Sequence, residues 1–143
     1  MRRNWVAVAL GLLVVALIGV GAWSAAHSVF GAKYQVATYA GSFSMFALMG
    51  PTTLAGQANH DGTACLWVGS GSDRTVLIWP AGYVAEGEPL RVLDAAGNQV
   101  AFVGRQTSFG GGFSIQGDGD PRPVLGCGKV TKAWSVGPMR PSR

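Results

Sequence analysis

The chain has 143 residues, enough for one modest domain, with 22 glycines, 13% charged residues and a formal charge of +4. The charge is unevenly spread. Between Tyr34 and Asp120 three arginines face seven acids, whereas no acid follows Asp120 and Arg122, Lys129, Lys132, Arg140 and Arg143 make the end basic. No basic stripe is interleaved with aromatics as a phosphate-tracking surface requires, so a nucleic-acid partner is not expected.

The first element is apolar. Residues 1–4 carry Arg2 and Arg3, and Trp5 to Trp23 then runs for nineteen residues without a charge. As a helix this stretch is about 28 Å long, close to the roughly 30 Å hydrocarbon core of a bilayer. Residues 5–23 are therefore predicted to form one N-terminal transmembrane helix, a signal-anchor with tryptophan at both interfaces. Arginines ahead of the span keep residues 1–4 in the cytoplasm and place the C-terminal domain outside. The alternative is a cleaved signal peptide, with Ser24-Ala25-Ala26 preceding a cut before His27 and the mature protein secreted. Either way the rest of the chain leaves the cytoplasm. No lipid-anchoring cysteine follows the apolar run, since the first cysteine is Cys65.

Residues 24–41 read as a tether, with His27 to Tyr39 a possible first extended segment. Ser42 to Pro51 is either a strand ended by Gly50-Pro51 or an apolar stretch at the membrane surface. The run from Thr52 turns at Asn59-His60-Asp61-Gly62, a hairpin signal, into a strand at Ala64 to Val68. After Gly69 to Asp73, Arg74 to Trp79 forms another strand, stopped by Pro80. Pro89 to Asp94 and Asn98 to Gln106 flank a turn, Gly110-Gly111-Gly112 marks a bulge or bend, and Lys129 to Val136 is the last strand. Residues 42–137 are thus predicted to be a mainly β, extracytoplasmic barrel or sandwich, and residues 138–143 a disordered basic tail. Val76-Leu77-Ile78-Trp79 is apolar on both parities, so a barrel alone would leave one face wet and something must cover it.

From about Thr52 to Gly137 the chain resembles small exported or membrane-tethered β-domain proteins of unknown function common in actinobacteria. The resemblance is carried by ACLWV, TVLIWPAGY and VLDAAGNQVAFVGRQTSFGGGF in that order, then Gly-Cys-Gly before a strand with Trp134. Ala64 stands where that pattern has glycine before the first cysteine. The resemblance implies an OB-like, partly open β-barrel and carries no assigned activity.

Cys65 has three readings. A catalytic thiolate needs a neighbouring base or cation, and the histidines are His27, next to the apolar run, and His60, in a turn. Zinc needs four ligands, usually in paired spacing, which two isolated cysteines and two unrelated histidines do not supply. A disulfide needs an even count and an oxidising compartment, and both conditions are met. Cys65 and Cys127 are expected to pair and tie an early strand to the region before the last; two buried free thiols are the alternative.

Other candidates are weaker. His60 in Asn-His-Asp-Gly reads as a solvated turn residue, which leaves a hydrolase without a constellation. Asp118 and Asp120 lack the further oxygen ligands of a calcium loop, and FGGGF lacks the Gly-Lys that would make it a phosphate loop. Trp67, Trp79, Tyr83 and Trp134 offer a stacking platform for a ligand, with Tyr83 the most exposed, although strand aromatics are more often core. Lys129 and Lys132 offer a basic partner surface or a solvated strand face. No metal or cofactor is expected. The sequence thus reads as a non-enzymatic interaction module whose partners are the membrane, through residues 5–23, and an extracytoplasmic protein or wall polymer.

Overall fold

The computed structural model describes residues 31–41, 47–116 and 119–140. The chain divides into two compact units, Met1–Ala32 and Lys33–Arg143, and nearly all described residues belong to the second. The predicted span over residues 5–23 lies outside the described residues. Among those described, no helix is long and apolar enough to cross a membrane.

The second unit is mainly β, with a curled, half-open barrel sheet as its largest part. Its strands in chain order are β1 (Lys33–Gln35), β2 (Thr38–Tyr39), β3 (Ala47–Thr53), β4 (Ala55–Ala58), β5 (Ala64–Val68), β6 (Thr75–Pro80), β7 (Val84–Glu86), β8 (Arg91–Leu93), β9 (Gln99–Phe102), β10 (Gln106–Gln116), β11 (Arg122–Val124), β12 (Gly128–Val130) and β13 (Lys132–Val136). The large sheet runs β3-β10-β13-β6-β5-β4, with β2 added parallel to β6. Along that order the pairs are antiparallel except β13–β6, which like β2–β6 is parallel. The outermost strands in this order, β3 and β4, follow each other in sequence through Leu54, which curls the sheet round. Leu54 is fully buried, donates its N–H to Arg105 O at 3.1 Å and accepts from Gly104 N–H at 2.8 Å. A smaller sheet, β1-β7-β8-β9, packs beside it, and β11 and β12 form a separate hairpin.

Local chemistry explains the turns. At the β4–β5 connection Gly62 adopts φ +81°, while Asp61 Oδ1 accepts from Thr63 N–H at 3.0 Å and from Thr63 Oγ1 at 2.6 Å. The β8–β9 turn repeats the device: Asp94 Oδ1 accepts from Ala96 N–H at 2.9 Å and from Asn98 N–H at 2.8 Å. These bonds favour the ionised carboxylate, so Asn98 chiefly, with Ala96 and Gly97, holds Asp94 below the ordinary aspartate range. A depressed native pKa means that the turn's contribution is complete above the unfolded-state value and disappears as pH falls through the lower native one. Acid titration of stability is therefore expected to show a loss below the usual carboxylate range that Asp94→Asn reduces, Asp61, which Thr63 lowers in the same way, keeping its share. Coincident acid limbs for the two proteins would contradict the assignment.

The sequence boundaries shift in four places. β1 and β2 draw Lys33 to Tyr39 out of the expected tether and into the fold, burying Val36 and Ala37. β3 continues past Gly50-Pro51 to Thr53. Its register jumps from Met49↔Phe109 to Thr52↔Thr107, so Gly50 and Pro51 lie opposite Ser108 in a bulge. At a sheet edge a bulge accommodates a residue that has no N–H. The expected last strand is divided, with Lys129 and Val130 in β12 and Lys132 to Val136 in β13. In the expected tail, Met139 packs on the core and its N–H reaches Tyr83 Oη at 3.3 Å.

Side chains alternate as strand geometry requires. Leu66, Val68, Leu77, Trp79, Phe109, Trp134 and Val136 face the main core, while Cys65, Val76 and Ala133 face the opposite side. On that second side Val124, Cys127 and Val130 from the β11–β12 region, with Trp67 and Ile78, pack against Cys65, Val76 and Ala133. The strands apolar on both parities are thus covered twice, inside by the curled sheet and outside by a hairpin.

Gly111 marks the closest backbone approach. It pairs with Val136, and a Cβ there would strike Ser135 O and Trp134 Nε1. Backbone oxygen in a ladder cannot swing aside, and the φ of +154° also disfavours an L side chain. Gly111→Ala is expected to cost about 3 kcal/mol, as other overpacked core sites do, measured by urea unfolding. A loss under about 1 kcal/mol would mean that the ladder is looser than described.

Candidate functional site

Cys65 and Cys127 form a disulfide with Cα atoms 4.9 Å apart, and the described chain holds no free cysteine. Cys65 reaches it because β5 points odd residues outward. Cys127 reaches it because Leu125 to Gly128 turn tightly between β11 and β12, with Cys127 N–H donating to Val124 O at 3.0 Å. Gly126 holds φ +72° one residue before the bridge, where a Cβ would lie 2.9 Å from Ala64 O. Asn59 adds a polar tie, its Nδ2 donating to Gly126 O at 2.8 Å and to Thr63 Oγ1 at 2.9 Å. The β4–β5 turn and the β11–β12 turn are thereby clamped together.

The expected aromatic platform is not on the surface. Trp79 is fully buried, Trp134 is 4% exposed and Tyr83, expected to be the most accessible, is 8% exposed. Trp79 stacks on Tyr83 at 6.0 Å and meets Phe109 edge-on at 5.9 Å, while Trp134 packs edge-on against Phe113 at 4.9 Å. Strand parity directs both tryptophans inward. Tyr83 is folded back by its N–H to Pro80 O and capped by Met139. These three side chains belong to the core and cannot stack a ligand without unfolding it.

Trp67 alone of the four remains partly open, and the guanidinium of Arg74 lies over its ring at 3.7 Å. Arg74 Nη2 also donates to Cys65 Sγ at 3.1 Å, while its Nε is buried with no hydrogen-bond partner. Arg74 lines a pocket of about 280 Å³ between β6 and the β11–β12 hairpin, together with Ser72, Pro121, Cys127, Lys129 and Lys132. Lys129 is exposed, and the Lys132 ammonium sits 5.9 Å from the Phe113 ring centroid. Sequence reasoning found the two lysines and the cysteine but not Arg74. Its only signal was a lone arginine at the entry to a strand, five turn residues after Val68.

A larger cleft of about 560 Å³ lies between β4 and the β7–β8 turn, with Tyr34, Gln57, Asn59, His60, Glu88 and Leu90 among its walls. His60 is exposed at its rim, as the turn reading anticipated. This cleft gathers one carboxylate and one imidazole, whereas the smaller pocket gathers three cations. No group of three or more metal-ligating side chains occurs among the described residues.

No family model, no curated protein and no solved structure matches this chain.

Proposed function

We propose that this is a membrane-anchored, extracytoplasmic OB-like half-barrel that serves as a non-enzymatic binding module. The observation that carries the proposal is the Cys65–Cys127 bridge, which ties β5 to a hairpin that would otherwise be loosely attached. A structural disulfide belongs to an oxidising compartment, and the uncharged run from Trp5 to Trp23 supplies the route there.

The OB-like reading is supported by strand order. With β3 and β4 counted as one bent strand, the sheet comprises five strands whose first pairs with both the second and the fourth, and whose third and fifth, β6 and β13, run parallel. Such a five-stranded, partly open barrel presents loops and one strand face to ligands. Here that outer strand face is partly roofed by the β11–β12 hairpin, which directs attention to the pocket beneath the roof. A hydrolase is disfavoured because Cys65, the thiol candidate, is consumed in the bridge and His60 stands exposed on a turn.

Membrane fractionation combined with intact mass tests the anchor. The expected result is a chain that stays with membranes after alkaline carbonate washing and retains residues 1–26. A soluble product lacking those residues would replace the anchor by the secreted form.

A further inference from the structure

We propose that the pocket between β6 and the β11–β12 hairpin is an anion site that takes a phosphate group of an extracytoplasmic phosphodiester polymer. The proposal rests on the exported reading above and adds the ligand class.

The first ground is uncompensated charge. Arg74, Lys129 and Lys132 line one small pocket, and the ion pair found among the described residues is elsewhere, between Arg91 and Glu86. Asp73 and Asp120, the acids nearest in sequence, are exposed and form no ion pair with these cations. The second ground is the state of the Arg74 guanidinium. It lies over the Trp67 ring, donates one hydrogen bond to a sulfur, which is a weak acceptor, and has a buried Nε–H without any acceptor. A buried, unsatisfied donor on a charged group is costly. Phosphate oxygens match the terminal nitrogens of the guanidinium fork, whose one hydrogen bond is to a sulfur. Because Trp67 and Cys65 already fix the side chain, little rotamer freedom remains to be lost on binding.

A polymer fits better than a bilayer. Among the described residues the large exposed apolar side chains are Leu48, Phe113 and Leu125, and none lines the pocket. The lining instead offers Ser72 and Thr131 hydroxyls, and exposed Arg122 is the next residue after the lining Pro121.

The test is calorimetric titration of the full chain, reconstituted in phosphatidylcholine vesicles so that residues 5–23 are already seated in lipid, with poly(glycerol phosphate) and, separately, with vesicles of phosphatidylglycerol. Wild type is expected to bind the polymer more tightly per phosphate than the vesicles, with affinity falling log-linearly with salt as counterions are displaced. Arg74→Gln and Lys129→Glu are each expected to weaken binding on the order of tenfold, the size of a lost charge-assisted contact, and to flatten the salt slope. Lys129 is exposed, so its variant remains informative should Arg74→Gln unfold. Unchanged affinity in folded Lys129→Glu protein, no binding of the polymer by wild type, or tighter binding to vesicles would each overturn the proposal. None of these outcomes bears on export, which sidedness measurements decide separately.

Discussion

Replacing Cys65 and Cys127 together by serine is expected to lower the unfolding free energy by about 4 kcal/mol, the chain-entropy figure for closing a loop of this length. The two cysteines are 62 residues apart, so the bridge restrains most of the barrel sequence in the unfolded chain. The folded state also depends on it. Without the covalent tie, the β11–β12 hairpin is held by Asn59 Nδ2 to Gly126 O and by the packing of Val124 and Val130. Its departure would wet Val76, Ala133 and Trp67. A small domain has roughly 5 to 15 kcal/mol in total, so the reduced form should unfold well below the oxidised one. Thermal melts with and without reductant measure this. Equal midpoints, with reduction verified by mass, would mean that the hairpin holds without its bridge.

Trp79→Ala is expected to cost 3 to 5 kcal/mol, the range of large-to-small aromatic truncations. Trp79 is fully buried where three parts of the fold meet: it lies on β6, its N–H donates to Ala37 O at 2.8 Å, and its ring contacts Tyr83 and Phe109. Trp79→Phe provides the informative contrast. The indole Nε1 is buried without a hydrogen-bond partner, so phenylalanine removes an unsatisfied donor while leaving a smaller void. Its cost should be about 1 kcal/mol or less. Urea unfolding of both variants separates packing from polarity. Equal losses would show that the indole nitrogen has a partner.

What could be read from the chain alone follows from where the information resides. The β4–β5 and β8–β9 hairpins were legible because Asp61-Gly62 and Asp94 to Asn98 carry their turn chemistry within a few residues. The disulfide was legible because two cysteines allow one pairing. β1 and β2 were legible only as one of two alternatives for His27 to Tyr39, a tether or a first extended segment, since they are two or three residues long and are specified by distant partners, β7 and β6. The β11–β12 hairpin was hidden by its Gly and Pro content, which reads as loop. That omission also misdirected the site. Without the roofing hairpin, strands apolar on both faces leave it undecided which aromatics are buried. The sequence therefore offers Trp67, Trp79, Tyr83 and Trp134 alike as a platform and gives Arg74 no prominence. An arginine becomes noticeable only once its neighbours, Trp67 and Cys65, are known to surround it.

The central claim is that the β unit folds outside the cytoplasm with its two sulfurs joined. Labelling intact cells with a membrane-impermeant maleimide, before and after treatment with a membrane-impermeant reductant, tests both parts at once. The account predicts no label on the native protein and two labels per chain after reduction from outside the membrane. Two labels that appear only after cell lysis, without any reductant, would place reduced thiols in the cytoplasm and contradict it.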